Sequence, residues 1–320
     1  MVFTEVFTAR DLDYEAHSDL MRRAFHALFS RAAISNDFMS PAYYRWKYRP
    51  PAGEGRTAVV FHGNRMVATS SMFPLHLKHP GGMSRVWQSC DSATLPEARG
   101  AGYFTRCLEA LIEILPPGEI FFGLPNPSSR RGCEKVGWRP QQVIRTWVGF
   151  SRPGFGLPAR FSGRFHAELG EHWDRFRPRD RPVLSRDPAY LQWRYLENPC
   201  FRYRFFTDIS PEGFGFAVAR LGSFRRIPFG LVLEWWAREP AVQKALFGQV
   251  SRWTLEHGAP LIMTLNSRLR KTDALRNGLL PMPECVLFKN QVLMGTARDP
   301  EGQKLFREKW DFQLGDWDGF

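Results

Sequence analysis

Arg99-Gly100-Ala101-Gly102 is a stretch whose residue types and spacing suit anion chemistry. It lies between an apolar run, Val86 to Leu95, closed by Pro96, and a second, Phe104 to Leu115, in which Leu108, Leu111, Ile112 and Leu115 recur at helical spacing. A strand that enters a helix through glycines makes an anion cradle. Glycine lets the backbone approach closely, and the unpaired amides of the first helical turn carry about half a positive charge. Taken alone, the turn supports two readings. It is an ordinary turn, or it begins a dinucleotide fingerprint in which Thr105 occupies the place of the third glycine.

Further along, Asn126 and Ser129 precede Cys133-Glu134-Lys135-Val136-Gly137-Trp138. The order Thr94-x-Pro96-x-x-Arg99-Gly100-x-Gly102, then Asn126-x-x-Ser129-x-x-x-Cys133 through Gly137-Trp138, resembles the GNAT N-acyltransferase superfamily across its two most diagnostic segments. The resemblance implies direct transfer of an acetyl or longer acyl group from acyl-CoA to a primary amine in a ternary complex. Such an enzyme holds both substrates in attack geometry, polarises the thioester carbonyl, and moves protons off the amine and onto the departing thiolate. It also implies that the backbone at Thr94 and Leu95 pairs with the pantetheine arm like an added strand. Arg99, Gly100, Ala101, Gly102, Tyr103, Phe104 and Thr105 would then cradle the pyrophosphate. Phe104 departs from the small residue common there, although an aromatic followed by Thr105 is similar to one branch of the superfamily.

Asn126 matches the position that usually bonds the pantetheine or its water, with Ser129 beside it. Capping of a helix that begins at Ser128 is the structural alternative. Cys133 stands where many members place a tyrosine to protonate the thiolate. A thiol, with a reference pKa of about 8.5, could substitute only if held protonated beside the sulfur, and the alternative is a small core residue. For the base, the resemblance points to Asp91, since residues of the fourth strand line the acceptor groove in this fold, and then to Glu97. A water relay suits either. Gly315-Asp316-Trp317-Asp318-Gly319-Phe320 resembles endings of tandem GNAT-like proteins, some of which bring the terminal carboxylate into the site.

The elements that must position these residues occur twice. Pro41-Ala42-Tyr43-Tyr44-Arg45-Trp46-Lys47-Tyr48 recurs as Pro188-Ala189-Tyr190-Leu191-Gln192-Trp193-Arg194-Tyr195 at a constant offset of 147, which implies internal duplication. A serine precedes each copy (Ser40, Ser185) and an aromatic, β-branched run follows it. In the first half the pattern predicts strands at Phe3–Thr8, Thr57–Phe61, Met66–Leu77, Val86–Leu95, Ile120–Leu124 and Val143–Phe150. Helices are expected at Asp19–Ser30, Ala42–Tyr48, Phe104–Leu115 and Ser128–Val136. The second half repeats that order, with a last strand expected within Cys285–Leu293. Its counterpart of the glycine turn is Glu234-Trp235-Trp236-Ala237-Arg238-Glu239-Pro240, without glycine, so this copy reads as degenerate for cofactor binding. The Trp46 and Trp193 segments read as buried packing. The expected fold is α/β, a mixed sheet of α+β character: two tandem GNAT-like domains, each a mostly antiparallel sheet flanked by helices. Residues 1–150 form the acyl-CoA-binding catalytic domain, 151–181 a linker, and 182–320 the degenerate domain.

With 320 residues, 43% of them hydrophobic, the chain can form two packed cores. No apolar run approaches the roughly 18 residues of a membrane span and Met1–Arg10 does not read as a leader, so a cytoplasmic location is expected. Cys90, Cys107, Cys133, Cys200 and Cys285 lack paired spacing, which predicts reduced thiols. The net charge of +12 attracts polyanions: CoA, an acidic acyl carrier protein, nucleic acid or an acidic peptide. Arginines interleaved with aromatics between Arg152 and Arg181 suit single-stranded nucleic acid, but no RNA-binding signature accompanies them and an interdomain connector is expected. His76-x-x-His79 lacks further ligands nearby, so no metal is expected. The acceptors considered are a peptide lysine or amino terminus, an amino sugar and a small biosynthetic amine. A carrier-protein donor and a non-catalytic acyl-CoA sensor or scaffold are the alternatives.

Overall fold

The computed structural model describes residues 1–32, 38–153, 165–166, 168–210, 213–224, 226–282 and 291–317. The first half runs β1 (Val2–Thr8), α1 (Tyr14–Ala32), α2 (Pro41–Lys47), β2 (Arg56–His62), β3 (Arg65–His79), β4 (Gly82–Thr94), α3 (Tyr103–Glu113), β5 (Ile120–Gly123), α4 (Pro127–Lys135), β6 (Arg139–Ile144) and β7 (Thr146–Phe150). The second half runs α5 (Leu169–Phe176), β8 (Val183–Leu184), α6 (Pro188–Leu191), β9 (Arg204–Ser210), β10 (Gly213–Phe224), β11 (Ile227–Ala237), α7 (Pro240–Glu256), β12 (Leu261–Leu265), α8 (Lys271–Arg276), β13 (Leu279–Pro281), β14 (Gln291–Ala297) and α9 (Pro300–Arg307). Helix starts follow local chemistry. Ser40, Asn126, Asp187 and Asp299 each accept a backbone N–H of the first turn, and each is followed by proline at the first helical position. In the second repeat the capping residue is therefore Asp187, at the offset that relates it to Ser40. Ser185 instead braces that cap, its hydroxyl donating to Asp187 at 2.9 Å.

The stretch 143–150, expected as one strand, divides between two sheets. β6 closes the first sheet, ordered β1-β2-β3-β4-β5-β14-β6 with β8 on β3, whereas β7 enters the second, ordered β13-β7-β12-β11-β10-β9. β14 returns the exchange by filling the first sheet between β5 and β6. The sheets thus do not respect the division of the chain at residue 150, because the first takes β14 and the short β8 from the second half and the second takes β7 from the first. The last strand begins at Gln291; the expected start near Cys285 lies outside the described residues, as do parts of the 151–181 linker and the end of the chain beyond Trp317.

A pseudo-twofold contact joins the halves. The Trp46 and Trp193 rings stack at 5.2 Å and 23°, and each indole N–H donates to the other's carbonyl, at 2.9 and 3.1 Å. One large apolar core runs through this contact, from Val59 and Leu108 to Phe216, Leu233 and Trp236, and a smaller core under α7 holds Trp235, Val250 and Ile262. Among the described residues, no helix is long and apolar enough to cross a membrane and no group of three His, Cys, Asp or Glu side chains is placed to hold a metal ion.

Candidate active site

β4 and β5 pair in parallel only over Val86–Gln88 and Ile120–Phe122. β4 then continues to Thr94 while β5 stops at Gly123, so the edge of β4 from Ser89 onward has no strand partner among the described residues. The root of the opening is tight: a Cβ on Gly123 would lie 3.2 Å from Ser89 and 3.4 Å from the Trp138 ring. Gly137, at φ +88°, turns the chain back so that Trp138 packs on Phe121 at 4.9 Å, edge to face. The Gly137-Trp138 pair therefore seals the base of the opening.

At the mouth, Gly100 and Gly102 both have positive φ, +87° and +74°, which glycine adopts without strain. A Cβ on Gly100 would meet nothing within 4 Å, so the space before the turn is open. Gly102 offers α3 no side-chain cap, in contrast to the caps of α2, α4 and α9, and the first turn of α3 holds no acid. The amides there face outward with the positive end of the helix dipole. The Thr105 hydroxyl donates to the Gly102 carbonyl at 2.8 Å, leaving its amide as what it can offer a ligand. Arg99 ties the turn down, donating to the Thr94 carbonyl at 3.3 Å and the Ala24 carbonyl of α1 at 3.1 Å. Ala101 is exposed and Tyr103 half-buried, while Leu95 is buried with its amide on the Val67 carbonyl. The aromatic at position 104 is housed by a glycine the sequence does not flag: a Cβ on Gly132 of α4 would lie 2.6 Å from the Phe104 ring.

Asn126 and Ser129 serve the start of α4. The Asn126 side-chain oxygen accepts from the amides of Ser128 and Ser129, at 2.9 and 3.0 Å, and from the Ser129 hydroxyl at 2.9 Å. Cys133 is buried in the same helix, and burial pushes its thiol up to about 12. Such a thiol releases its proton less readily than an ordinary one, so packing describes it better than acid catalysis. Glu97 is exposed and paired with Arg65 at 2.6 Å and Arg23 at 3.5 Å. A backbone hydrogen bond and the Arg65 pair hold its carboxyl below the usual range, which suits a strut between β3 and α1 rather than a base.

Asp91 lies in a bulge of β4 with φ +48°. Its carboxylate is engaged by groups that sequence reasoning read only as packing. Lys47 Nζ donates to Oδ1 at 3.0 Å and lies 2.8 Å from Oδ2, and the Tyr48 hydroxyl donates to Oδ2 at 2.9 Å. Because the Tyr48 proton points to Asp91, its oxygen accepts from His17 Nε2 at 3.0 Å; His17 Nδ1 is then left to accept from Thr69 at 3.4 Å. Burial lowers His17 to about 4, so the ring is neutral at pH 7. Burial alone would raise the Asp91 carboxyl, but the Lys47 ammonium outweighs it and the net shift is downward. The signal in the sequence was a lysine inside an otherwise aromatic helix.

The second half has the same plan with a different content. Tyr195, the counterpart of Tyr48, donates to Glu234 at 2.6 Å, and Glu234 sits at a β11 bulge. Beyond the β11–β12 pairing, the side-chain oxygen of Gln313 accepts the Trp235 amide at 2.7 Å, and Gln313 bridges Asn266. Gly315 packs so closely on Glu234 and Tyr195 that a Cβ would strike both. The opening that is free in the first half is here filled by the chain's own C-terminal segment, locked by a fully buried Arg186 between Glu234 at 3.0 Å and Asp316 at 2.6 Å.

Residues 5–141 match the family model described as an acetyltransferase (GNAT) domain. No curated protein sequence matches the chain. Among solved structures, a GCN5-related N-acetyltransferase from Anabaena variabilis superposes with a TM-score of 0.62 at 10% identity, over 92% of this chain and 73% of that one. A tandem GNAT protein from the clavulanic acid biosynthesis pathway gives 0.60 at 14% identity, over 94% and 99%. The N-myristoyltransferase of Saccharomyces cerevisiae, solved with bound myristoyl-CoA, gives 0.57 at 8% identity, over 91% and 81%. At these identities the structural likeness establishes the fold.

Proposed function

We propose that this chain is a tandem member of the GNAT superfamily and moves an acyl group from acyl-CoA to a primary amine in its first half only. The observation that carries this reading is the open edge of β4 leading to an uncapped helix start behind two positive-φ glycines. The pantetheine amides extend the sheet along Ser89–Thr94, the pyrophosphate rests on the amides of Gly100–Thr105, and the thioester reaches the Asp91 bulge. There the amine nitrogen attacks the carbonyl carbon, the C–S bond breaks, one proton leaves the nitrogen and one is taken up by the thiolate. Asp91, paired with Lys47, acts as a fixed charge at the end of a water path rather than as a strong base, and water protonates the thiolate.

Replacing Gly100 and Gly102 by valine, with CoA binding followed by calorimetry, tests the cradle; unchanged affinity would refute it. Exposed Arg106 and Arg130 near the helix starts would also suit an acidic acyl carrier protein, so turnover with acyl-CoA and with an acyl-carrier donor decides the source of the acyl group. A non-catalytic acyl-CoA sensor is the second reading, favoured by the engaged Asp91 and the buried Cys133. Acyl transfer to any amine excludes it.

A further inference from the structure

The segment that fills the second opening brings three acids into the interior. It is held along three elements. The Asp311 amide donates to the Pro182 carbonyl beside β8 at 2.8 Å, the Phe312 amide donates to the Ser267 hydroxyl after β12 at 2.8 Å, and Gln313 accepts the Trp235 amide of β11. The side chains of Glu234, Asp311 and Asp316 are fully buried there. Arg186 and Arg268 face them, both over the Trp236 ring, at 5.5 and 5.4 Å. Arg186 is engaged by Glu234 and Asp316, which leaves Asp311 to Arg268, a side chain 41% exposed whose Nε lies 3.1 Å from Oδ2. Among the described residues neither buried Asp311 oxygen accepts a hydrogen bond, so the Arg268 contact is an ion pair without hydrogen-bond alignment.

The remaining charged and titratable groups do not balance it. Arg181, before β8, pairs with Asp180 at 2.6 Å; Asp316 and Glu234 have the same sign as Asp311; and the Tyr190 and Tyr195 hydroxyls donate to the Gly315 carbonyl and to Glu234. A carboxyl without hydrogen bonds resists burial when ionised and far less when protonated. Burial accordingly raises Asp311 to about 7, against the pull of Arg268, and burial also raises Asp316. Leaving the opening returns Asp311 to water and to the ordinary carboxylate range. We propose that Asp311 is a proton-operated latch, which holds the C-terminal segment in the second half's opening when its carboxyl is protonated and loosens it when ionised. Because the seated form binds more protons than the released form, seating is strongest at low pH and weakens as pH rises through the seated value. Release exposes the Trp235 amide and breaks the Gln88 bond to the Asp316 carbonyl, so the proton state of the filled half reaches the root of the open one. The latch stands on the seated segment alone and does not depend on the acyl-CoA reading.

Hydrogen exchange of the full chain tests it, read by mass spectrometry on peptides covering residues 231–237 and 310–317 and expressed as protection factors from pH 5 to 8.5. One proton of difference between seated and released forms corresponds to about a tenfold loss of protection per pH unit between pH 5 and 6.5, flattening above pH 8. Peptides from β2 and β3 should show no such slope, which separates release of the segment from global unfolding. Asp311→Asn, which keeps the shape without the charge, should abolish the slope. Arg268→Gln, which removes the facing cation, should move the flattening to higher pH. Protection that does not change with pH in the native protein, or the same slope in Asp311→Asn, would overturn the proposal. Should Asp311→Asn not fold, the partly exposed Arg268 position still decides, because an unshifted profile in Arg268→Gln also overturns it.

Discussion

Removing one member of the buried Lys47–Asp91 pair has a computable consequence. Lys47 is 2% exposed and Asp91 11% by side chain. In Lys47→Met the carboxylate keeps only the Tyr48 hydrogen bond. Breaking a buried pair typically destabilises by about 3–5 kcal/mol, and the retained bond places this case near 3 kcal/mol at pH 8. The pH dependence fixes the cause. In the native protein the Asp91 carboxyl is lowered, so its stabilisation is present above the unfolded pKa and is lost as pH falls through the folded value. In the variant, burial, the largest influence on Asp91, is no longer offset by the Lys47 ammonium and outweighs the retained Tyr48 hydrogen bond, so that carboxyl rises. The deficit relative to the native protein should then be largest at pH 8 and shrink as Asp91 takes up a proton toward pH 5. Lys47→Met/Asp91→Asn, which removes the stranded charge, should recover about 2 kcal/mol of the loss. Urea unfolding followed by tryptophan fluorescence at pH 5, 6.5 and 8 measures all three proteins. A single-variant deficit below about 1 kcal/mol, or one that is the same at every pH, would refute the reasoning.

Three further outcomes are expected. Gly132→Ala should destabilise by about 1–3 kcal/mol despite the better helix propensity of alanine and weaken CoA binding, because its Cβ forces the Phe104 ring toward the cradle; Phe104→Leu in the same chain should restore both, as read by unfolding and calorimetry. His17, whose folded pKa is lowered to about 4, makes the unfolded state bind more protons between about pH 4 and 6.5, so stability rises with pH there by roughly 3 kcal/mol in total; the difference between native and His17→Gln unfolding curves should carry that slope, and a flat difference would contradict it. Trp46→Ala and Trp193→Ala should each destabilise by about 3–5 kcal/mol, and the double variant by clearly less than their sum, since both remove one reciprocal contact.

Much of the fold was legible because its signals are local. Proline after a capping residue marks the starts of α2, α4 and α6, and the Leu108, Leu111 and Leu115 spacing marks the buried face of α3. The strand exchange was not legible. The Thr-Trp-Val-Gly-Phe pattern of β7 has the same alternation whichever sheet receives it, and pairing with β12 and β13 depends on residues more than a hundred positions away. In the site, the glycine turn could be read because positive φ restricts the residue type. The Asp91 network could not, since Lys47 and Tyr48 belong to a repeat whose visible property is aromatic packing. Nor could Gly132, whose reason is a ring contributed by another helix.

Duplication and exchange together explain why one opening is free and the other filled. The two halves share the Trp46–Trp193 contact, the reciprocal strands β7 and β14, and a tyrosine that donates to a carboxylate at each bulge, Tyr48 to Asp91 and Tyr195 to Glu234. Symmetry breaks where a cofactor would enter. The first half places Gly100 and Gly102 before α3, and the second places Glu239 and Pro240 before α7, which puts a carboxylate and a residue without an N–H at that helix start, and there the opening is filled from within. Gln313 to Asp316 do so, satisfying the Trp235 amide that an added strand would otherwise pair with. The same segment then reaches the first half, where the Gln88 side chain, at the last paired position of β4 beside its own opening, donates to the Asp316 carbonyl at 2.6 Å. The filled half is thereby attached to the root of the open one, which, on the proposed acyl-CoA reading, makes it part of the wall of that site.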